Sequence, residues 1–372
     1  MIVPTIGIIM AGGSGERFWP VSRKKKPKQL LRLTDGRLTL LEEAVERVLP
    51  IIPPERLFVA TNQTLQEPIR AAMTRIPPEN ILAEPTRRNT TGCLAFAAAH
   101  LLARYGRTHD DMIMAVTTAD HRIGDPEDFR KTIQAAIWYA KEKNALMVVG
   151  LHPDRPETGY GYIEIPEGAQ PAAACEGVSI FPTHRFREKP SLPDAKAYLD
   201  SGHFFWNSGM FFWRMSVFLE AMKKFMPEVH QSILDMRDAL ITGFNPDSIV
   251  ASVFEKLPNI SIDYAIMEKA DHVYMAQGDF PWDDVGLWDS LARYHSKDAQ
   301  NNVAVGDPIL IECQDVTVYN EPGGEKMAVG VLGMKDVIVV TTEDGVLVCP
   351  KNRAQDVRMI VERLKEQNAS QI

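Results

Sequence analysis

The sequence has little cysteine: four residues in 372, Cys93, Cys175, Cys313 and Cys349, with no CxxC and no Cys/His pairing. That spacing excludes a disulfide scaffold and a structural zinc site, and reduced thiols in a cytoplasmic protein are expected. Also missing is any apolar run near the roughly 18 residues that a membrane-crossing helix needs. Met1–Ala11 is the only stretch resembling a signal peptide; it has no basic residues ahead of its apolar run and reads as a first strand. Positive charge is not in excess, since 41 Lys and Arg face 49 Asp and Glu, a net charge of −8. No nucleic acid and no membrane partner is therefore expected, and any anion must be gripped by a local cluster of cations.

What is present is globular. Hydrophobic residues make up 45 % and charged residues 24 %, which excludes disordered and fibrous classes, and the length suits one large or two unequal domains. Up to residue 150, β-branched runs at 6–10, 57–60, 81–83, 112–116 and 147–150 alternate with helical patterns. Thr39 to Glu42 reads as a capping box, Asp125-Pro126 as an N-cap followed by proline, and residues 89–105 as a buried helix. The expectation is an α/β fold with a doubly wound, mostly parallel sheet, whose loops 11–29, 84–91 and 117–124 lie at the carboxyl ends of strands, where such sheets bind ligands. Strands near 160–165, 180–188 and 209–213 and helices near 193–201, 216–226 and 263–269 elaborate that sheet. Beyond about residue 300, short Val- and Ile-rich runs alternate with Gly, Asp and Pro turns. They predict a small C-terminal β-rich appendix, a few coils of a left-handed β-helix, closed by a helix at 353–366. Domains of 1–290 and 291–372 follow, and exposed β edges in the appendix suit a homodimer contact.

The first strand runs into Ala11-Gly12-Gly13-Ser14-Gly15-Glu16-Arg17. Phe18 stands where GxGxxG needs its last glycine, and no GxxxxGK[ST] occurs, so neither a dinucleotide fingerprint nor a P-loop is present. Three glycines in four residues still let backbone N–H groups converge on an anion, with phosphate the natural guest. Arg17, Arg23, Lys24, Lys25, Lys26 and Lys28 follow at once. Arg17 can grip a phosphate bidentately, and Pro27 and Gln29 would hold Lys28 in place, whereas Lys24–Lys26 read equally well as a solvated basic run.

Asp120 follows a core strand, and Asp283 and Asp284 share a Gly- and Trp-rich turn. Each alone is more often a turn or cap residue; beside a phosphate loop, one or two carboxylates suit Mg²⁺. Three further blocks, Glu157–Tyr162, Arg187–Pro190 and Trp206–Phe211, carry polar groups that a plain core would avoid. Glu188 and Asn207 can read hydroxyls of a hexose, Lys189 its phosphate, and Gly161 can offer its backbone. An exposed ion pair is the plainer reading of Glu188-Lys189. The aromatic residues around Asn207 and Ser208 read as core, but a polar pair within them needs partners. In Glu84–Thr91, Asn89 or Thr90 reads as a helix N-cap.

The run AGGSGERFWPVSRKKKPKQLL resembles the amino-terminal signature of the sugar-1-phosphate nucleotidyltransferases, and its Phe-Trp-Pro-Val-Ser-Arg and Pro-Lys-Gln forms are similar to the mannose-1-phosphate guanylyltransferase (GDP-mannose pyrophosphorylase) branch. Six motifs in order, over roughly residues 5 to 290, carry the resemblance. It implies a Rossmann-like nucleotidyltransferase fold in which Ala11, Gly12, Gly13, Ser14 and Gly15, with Arg17 and Lys28, hold the nucleotide phosphates and pyrophosphate. It implies Asp120 and Asp284 as Mg²⁺ ligands, Glu84, Asn89 and Thr90 beside guanine and ribose, and Tyr160, Gly161, Glu188, Lys189, Asn207 and Ser208 at the sugar phosphate. Glu84 could accept from guanine N1–H and its 2-amino group. Asp283, at a variable position of the family pattern, is expected at the surface, and His121 is expected to be structural. The implied reaction joins GTP and mannose 1-phosphate into GDP-mannose and pyrophosphate, with Arg17, Lys28 and Asp120 catalytic and no protein nucleophile. The rivals are another hexose 1-phosphate or NTP, and a silent sugar-nucleotide sensor; the four charged site residues speak against the latter. Longer members of the family carry an isomerase domain for which this sequence has no room, so a single activity is expected.

Overall fold

A computed structural model describes residues 3–13, 15–34, 36–106, 111–321 and 327–372. Two compact units emerge: Met1–Met10 with Glu46–Thr118 and Ile123–Trp282, and Ala11–Val45 with Ala119–Arg122 and Asp283–Ile372.

The first unit is built on an 11-stranded sheet. Strands β1 (Thr5–Met10), β2 (Leu57–Asn62), β3 (Ile81–Glu84) and β4 (Ile113–Thr118) pair in parallel in the order β3, β2, β1, β4. Helices cover both faces of such a sheet, so its strands are apolar throughout; Ile6, Ile8 and Ile9 are fully buried. Past β4 comes Phe204–Arg214, antiparallel to both β4 and Leu146–Leu151. Leu146–Leu151 then pairs in parallel with Val273–Gly278. The buried helix Asn89–Tyr105 forms as its alanines suggest, with Ala97–Ala99 fully buried beside Ile233, Met236 and Phe254. Asp125 caps the helix Pro126–Lys143 by accepting from the backbone N–H of Glu127 and Asp128. No helix among the described residues is long and apolar enough to cross a membrane.

Three details depart from the sequence pattern. The expected strand 209–213 runs from Phe204 to Arg214 and shifts register between Asn207 and Phe211, where Gly209 takes φ 68°. Such a bulge re-aims side chains locally. The expected helix at 263–269 is a five-residue π-helical turn, Asp263–Met267, pinned by the buried Ala265, Ile266 and Met267. The helices Pro227–Thr242 and Pro246–Phe254 lie in a region for which the sequence reading places no element.

In the second unit Val303–Val305, Thr317–Asn320 and Val337–Thr341 stack as a parallel ladder, closed by antiparallel Val346–Pro350. Ile309–Ile311 and Gly330–Leu332 form a companion parallel pair. The chain takes left-handed backbone at Asp307, Glu312, Asp315 and Asp336, so the polar residues sit in the bends of successive β coils. Phe18, Trp19, Val21, Leu31 and Leu33 share one core with Trp288, Tyr319, Ile338, Val340, Leu347, Val357 and Val361. Packing therefore groups the segment after β1 with the C-terminal β-rich residues, a grouping invisible to a division by chain order at residue 290. The capping box forms in this unit: Thr39 N–H donates to Glu42 Oε2 at 2.7 Å, and Glu42 N–H to Thr39 Oγ1 at 3.2 Å.

Candidate active site

In the second unit the glycine loop is shaped by side chains. Gln29 Nε2 donates to the carbonyls of Ala11 and Gly13 at 2.8 and 2.9 Å, and Ser22 Oγ donates to that of Gly15 at 2.8 Å. At Gly12 nothing lies within 4 Å of where a Cβ would stand, which leaves that side of the loop approachable. Gly15, at φ 61°, is required twice over, because a Cβ there would also lie 2.4 Å from Lys28 Cβ. Ser14 falls outside the described residues. Arg17 is exposed on the 3-10 turn Glu16–Phe18.

Lys28 is buried, and its ammonium donates to Asp120 Oδ2 at 2.9 Å and to the backbone carbonyl of Asp284 at 2.6 Å. Burial pushes the Asp120 carboxyl up, but the Lys28 ammonium, His121 and the hydrogen bonds more than offset this, leaving it below the usual carboxylate range. The carboxylate of Asp284 folds over Gly286, where a Cβ would meet its oxygens at 2.9 and 3.0 Å. Asp283 corrects the sequence expectation: it is 4 % exposed, not a surface residue. Arg293 clasps both of its oxygens, and Asp283 Oδ1 accepts from Val285 N–H at 2.8 Å. Val285, fully buried, is held at φ 48°, a conformation that costs a β-branched residue about 1–3 kcal/mol. The Asp283–Arg293 pair thus fastens the strained turn that presents Asp284.

No group of three or more His, Cys, Asp or Glu that could hold a metal occurs among the described residues. An all-protein cage is absent among them, yet the Lys28 ammonium already sits among a carboxylate and a carbonyl oxygen, a surrounding that suits a hard cation. Two carboxylates completed by phosphate oxygens are the usual arrangement for Mg²⁺; here Lys28 links the Asp120 carboxylate to the Asp284 backbone carbonyl.

The first unit carries the other predicted residues. Asn207 Nδ2 donates to Asp263 Oδ1 at 2.8 Å, and its Oδ1 accepts from Gly209 N–H at 3.0 Å, so both ends of the amide are fixed. Gly161 lies beside it: a Cβ there would be 2.7 Å from Glu188 Oε2 and 3.5 Å from Asn207 Cβ. Glu188 and the exposed Lys189 form an ion pair of 3.1 Å. Tyr160 is buried edge-on to Trp206 and Trp282, and its hydroxyl accepts from Arg155 at 3.1 Å. Ser208 points inward, donating to the Val149 carbonyl at 2.7 Å while accepting from Met210 N–H. It stitches the bulge from within.

Glu84 ends β3, buried, and burial pushes its carboxyl up to about 7 against the opposing hydrogen bond from Cys93 and the charge of Arg87. The helix Asn89–Tyr105 starts without a side-chain cap: its N-cap is Arg88, and Asn89 takes φ 56°. Asn89 instead accepts from Thr90 N–H at 2.8 Å, and Thr90 Oγ1 accepts from Ile262 N–H at 2.8 Å, which ties the helix start to the residue before Asp263.

The family model described as nucleotidyl transferase matches residues 6–301. The chain belongs to that family. A second model, described as the MannoseP isomerase/GMP-like beta-helix domain, matches residues 306–364 of this nucleotidyl transferase. The transferase is 38 % identical over 368 residues to the mannose-1-phosphate guanylyltransferase of Escherichia coli (strain K12), covering 96 % of this chain and 73 % of that one. The mannose-1-phosphate guanylyltransferase ManC of Salmonella typhimurium (strain LT2) is also 38 % identical, over 96 % of this chain and 72 % of its own. A crystal structure of mannose-1-phosphate geranyltransferase from Thermus thermophilus superposes with a TM-score of 0.84 at 34 % identity, covering 98 % of this chain and 100 % of that one.

Within each unit of the transferase the predicted residues cluster. Gly15, Lys28, Asp120 and Asp284 are joined in one; Gly161, Glu188 and Asn207 in the other. The sequence reading missed Asp263 and Arg155, and it placed Gln29 beside Lys28 where the structure has it bonded to the loop carbonyls of Ala11 and Gly13. Asp263 lies in what reads as the first turn of a helix, where an acidic residue is unremarkable, and only the π-helical turn gives it a partner. The role of Gln29 was within reach of the sequence: a glutamine flanked by Lys28 and an apolar pair, returning to a glycine loop, has loop carbonyls as its natural acceptors.

Proposed function

We propose that this nucleotidyl transferase is a mannose-1-phosphate guanylyltransferase, moving GMP from GTP onto mannose 1-phosphate with release of pyrophosphate. The observation that carries the reading is the buried Lys28, joined to Asp120 and Asp284 and packed against Gly15 of the phosphate-type loop. The names of the relatives supply guanine and mannose.

Backbone N–H groups of Gly12, Gly13 and Gly15 hold the triphosphate, and Arg17 grips the oxygens that depart as pyrophosphate. Lys28 meets charge that builds on the α-phosphoryl oxygens as an oxygen of mannose 1-phosphate attacks in line; preorganised charge of this kind supplies most of such a rate enhancement. Asp120 and Asp284 would hold Mg²⁺, which would supply further neutralisation of phosphate charge. Glu84 accepts hydrogen bonds from guanine, with Asn89 and Thr90 beside the ribose. Glu188 and Asn207 orient the hexose, the Gly161 backbone approaches it, Tyr160 supports that contact, and Lys189 meets the sugar phosphate. Alignment rather than proton abstraction does the chemistry.

Mixing GTP, mannose 1-phosphate and Mg²⁺ with the protein should release pyrophosphate and yield GDP-mannose. UTP, dTTP, ATP and geranyl diphosphate should be poor donors, and other hexose 1-phosphates poor acceptors. A preference for another donor and acceptor pair would refute the assignment, and no pyrophosphate with any pair would point to the silent sensor.

A further inference from the structure

The C-terminal residues pack against the segment Glu16–Trp19 that follows the glycine loop. Trp19, 8 % exposed, donates from its indole nitrogen to the Gln371 carbonyl at 2.9 Å, and its own carbonyl accepts from the Trp288 indole at 3.0 Å. Phe18 sits edge-on to Trp288 at 5.0 Å, and Trp288 is tilted against Tyr319 of the β ladder at 5.3 Å. Glu16, next to Arg17, pairs with Lys365 of the last helix at 2.8 Å. The basic run is drawn in as well: Arg23 pairs with Asp344 at 2.7 Å and Lys26 with Glu321. Cations that the sequence offers to a substrate thus face acids of the C-terminal region instead.

Gln29 and Ser22 fix the loop itself, at the carbonyls of Ala11, Gly13 and Gly15. The short turn carrying Arg17 is fastened differently: its flanking residues Glu16 and Trp19 are tied to residues 365 and 371. We propose that Trp19 is a positioning residue for nucleotide binding, through which the C-terminal β-rich region sets the orientation of the Gly15–Arg17 turn. The region then serves the reaction without touching substrate. The inference rests on the loop holding the GTP phosphates, as argued above. It goes beyond that reading by giving the C-terminal residues a part in GTP affinity. A small displacement of a binding group costs rate steeply, so losing one fastening of this turn should be measurable.

The test compares three variants of the full chain with the parent. Trp19→Phe keeps an aromatic ring in the core but removes the indole N–H that donates to Gln371, together with part of the ring's bulk; Lys365→Ala removes an exposed partner whose loss leaves the core intact; Lys28→Ala is the control. Trp19→Phe should raise KM for GTP about tenfold and Lys365→Ala about two- to threefold, with KM for mannose 1-phosphate unchanged in both and melting temperature unchanged in Lys365→Ala. Amide hydrogen exchange at residues 15–18 should quicken in both while exchange in β1 stays slow. If Lys28→Ala weakens GTP binding but Trp19→Phe leaves KM for GTP and loop exchange as in the parent, the brace is refuted and the loop reading survives. If Lys28→Ala leaves GTP binding intact, the loop reading fails and takes the proposal with it. An equal rise in both KM values in Trp19→Phe, with Lys365→Ala like the parent, would show a merely structural tryptophan and also refute the proposal.

Discussion

The two units handle polarity in opposite ways. In the sheet unit the polar residues hang from regular elements: Asn207 from a bulged strand, Glu188 from the end of Arg185–Glu188, Glu84 from the end of β3. Asn207 is fixed by an amide and a carboxyl group, and Ser208 stitches the same bulge from inside. In the other unit Arg17, Lys28, Asp120 and Asp284 lie on loops and single turns, fastened by ion pairs and side-chain bonds to backbone. Neutral hydroxyls of a sugar need donors and acceptors at fixed angles, which a sheet supplies. Phosphate charge needs a compensated cluster that costs little to reorganise, which paired loop residues supply.

Removing charge from the loop unit should give the largest effect. Asp284→Ala should lower magnesium-dependent turnover by about 10³-fold while the melting temperature and calorimetric affinity for mannose 1-phosphate stay near the parent's. Equal loss of sugar-phosphate affinity would erase the contrast. Next in size, Gly161→Ala places a methyl 2.7 Å from Glu188 Oε2. KM for mannose 1-phosphate should rise about tenfold with KM for GTP unchanged, because one lost orienting contact is worth about 1–2 kcal/mol.

A smaller effect comes from pH. Burial holds the Glu84 carboxyl at about 7, so it is largely protonated at pH 6 and largely charged at pH 8. Only the carboxylate accepts both guanine donors, so KM for GTP should fall severalfold as pH rises across that window. Glu84→Gln should flatten the profile, and an unchanged slope in that variant would remove Glu84 from base recognition. The sign for stability is opposite: the raised carboxyl favours the fold at low pH, and that contribution fades as pH rises through about 7. Least of all, Lys25→Ala, at an exposed position of the basic run, should leave kcat/KM within about twofold. A tenfold loss would show that the run meets substrate after all.

Much of this was legible in the sequence because buried parallel strands must be apolar and loops at their ends must be polar. The runs at 6–10, 57–60, 81–83 and 112–116 became β1–β4 within a residue or two, and the capping box at Thr39 formed as written. Asp283 was misread because nothing in Trp282–Trp288 reveals that Arg293 will fold back to bury it. Asp263 was missed because one π-helical turn and one α-helical turn have the same apolar spacing over five residues. The β coils showed no period for a physical reason. Residues 303, 317 and 338 occupy equivalent rungs, so the bends between them differ in length and blur any repeat.

The near-contact of Gly15 with Lys28 has an evolutionary corollary. With no room for even a methyl group against the Cβ and backbone of residue 28, position 15 is confined to glycine whatever side chain continues beyond that Cβ. On the proposed reading, adaptation to a new base or hexose is expected to leave this glycine alone and to accumulate around Glu84 and Glu188, so that one grip on polyphosphate can serve a changing repertoire of sugar nucleotides.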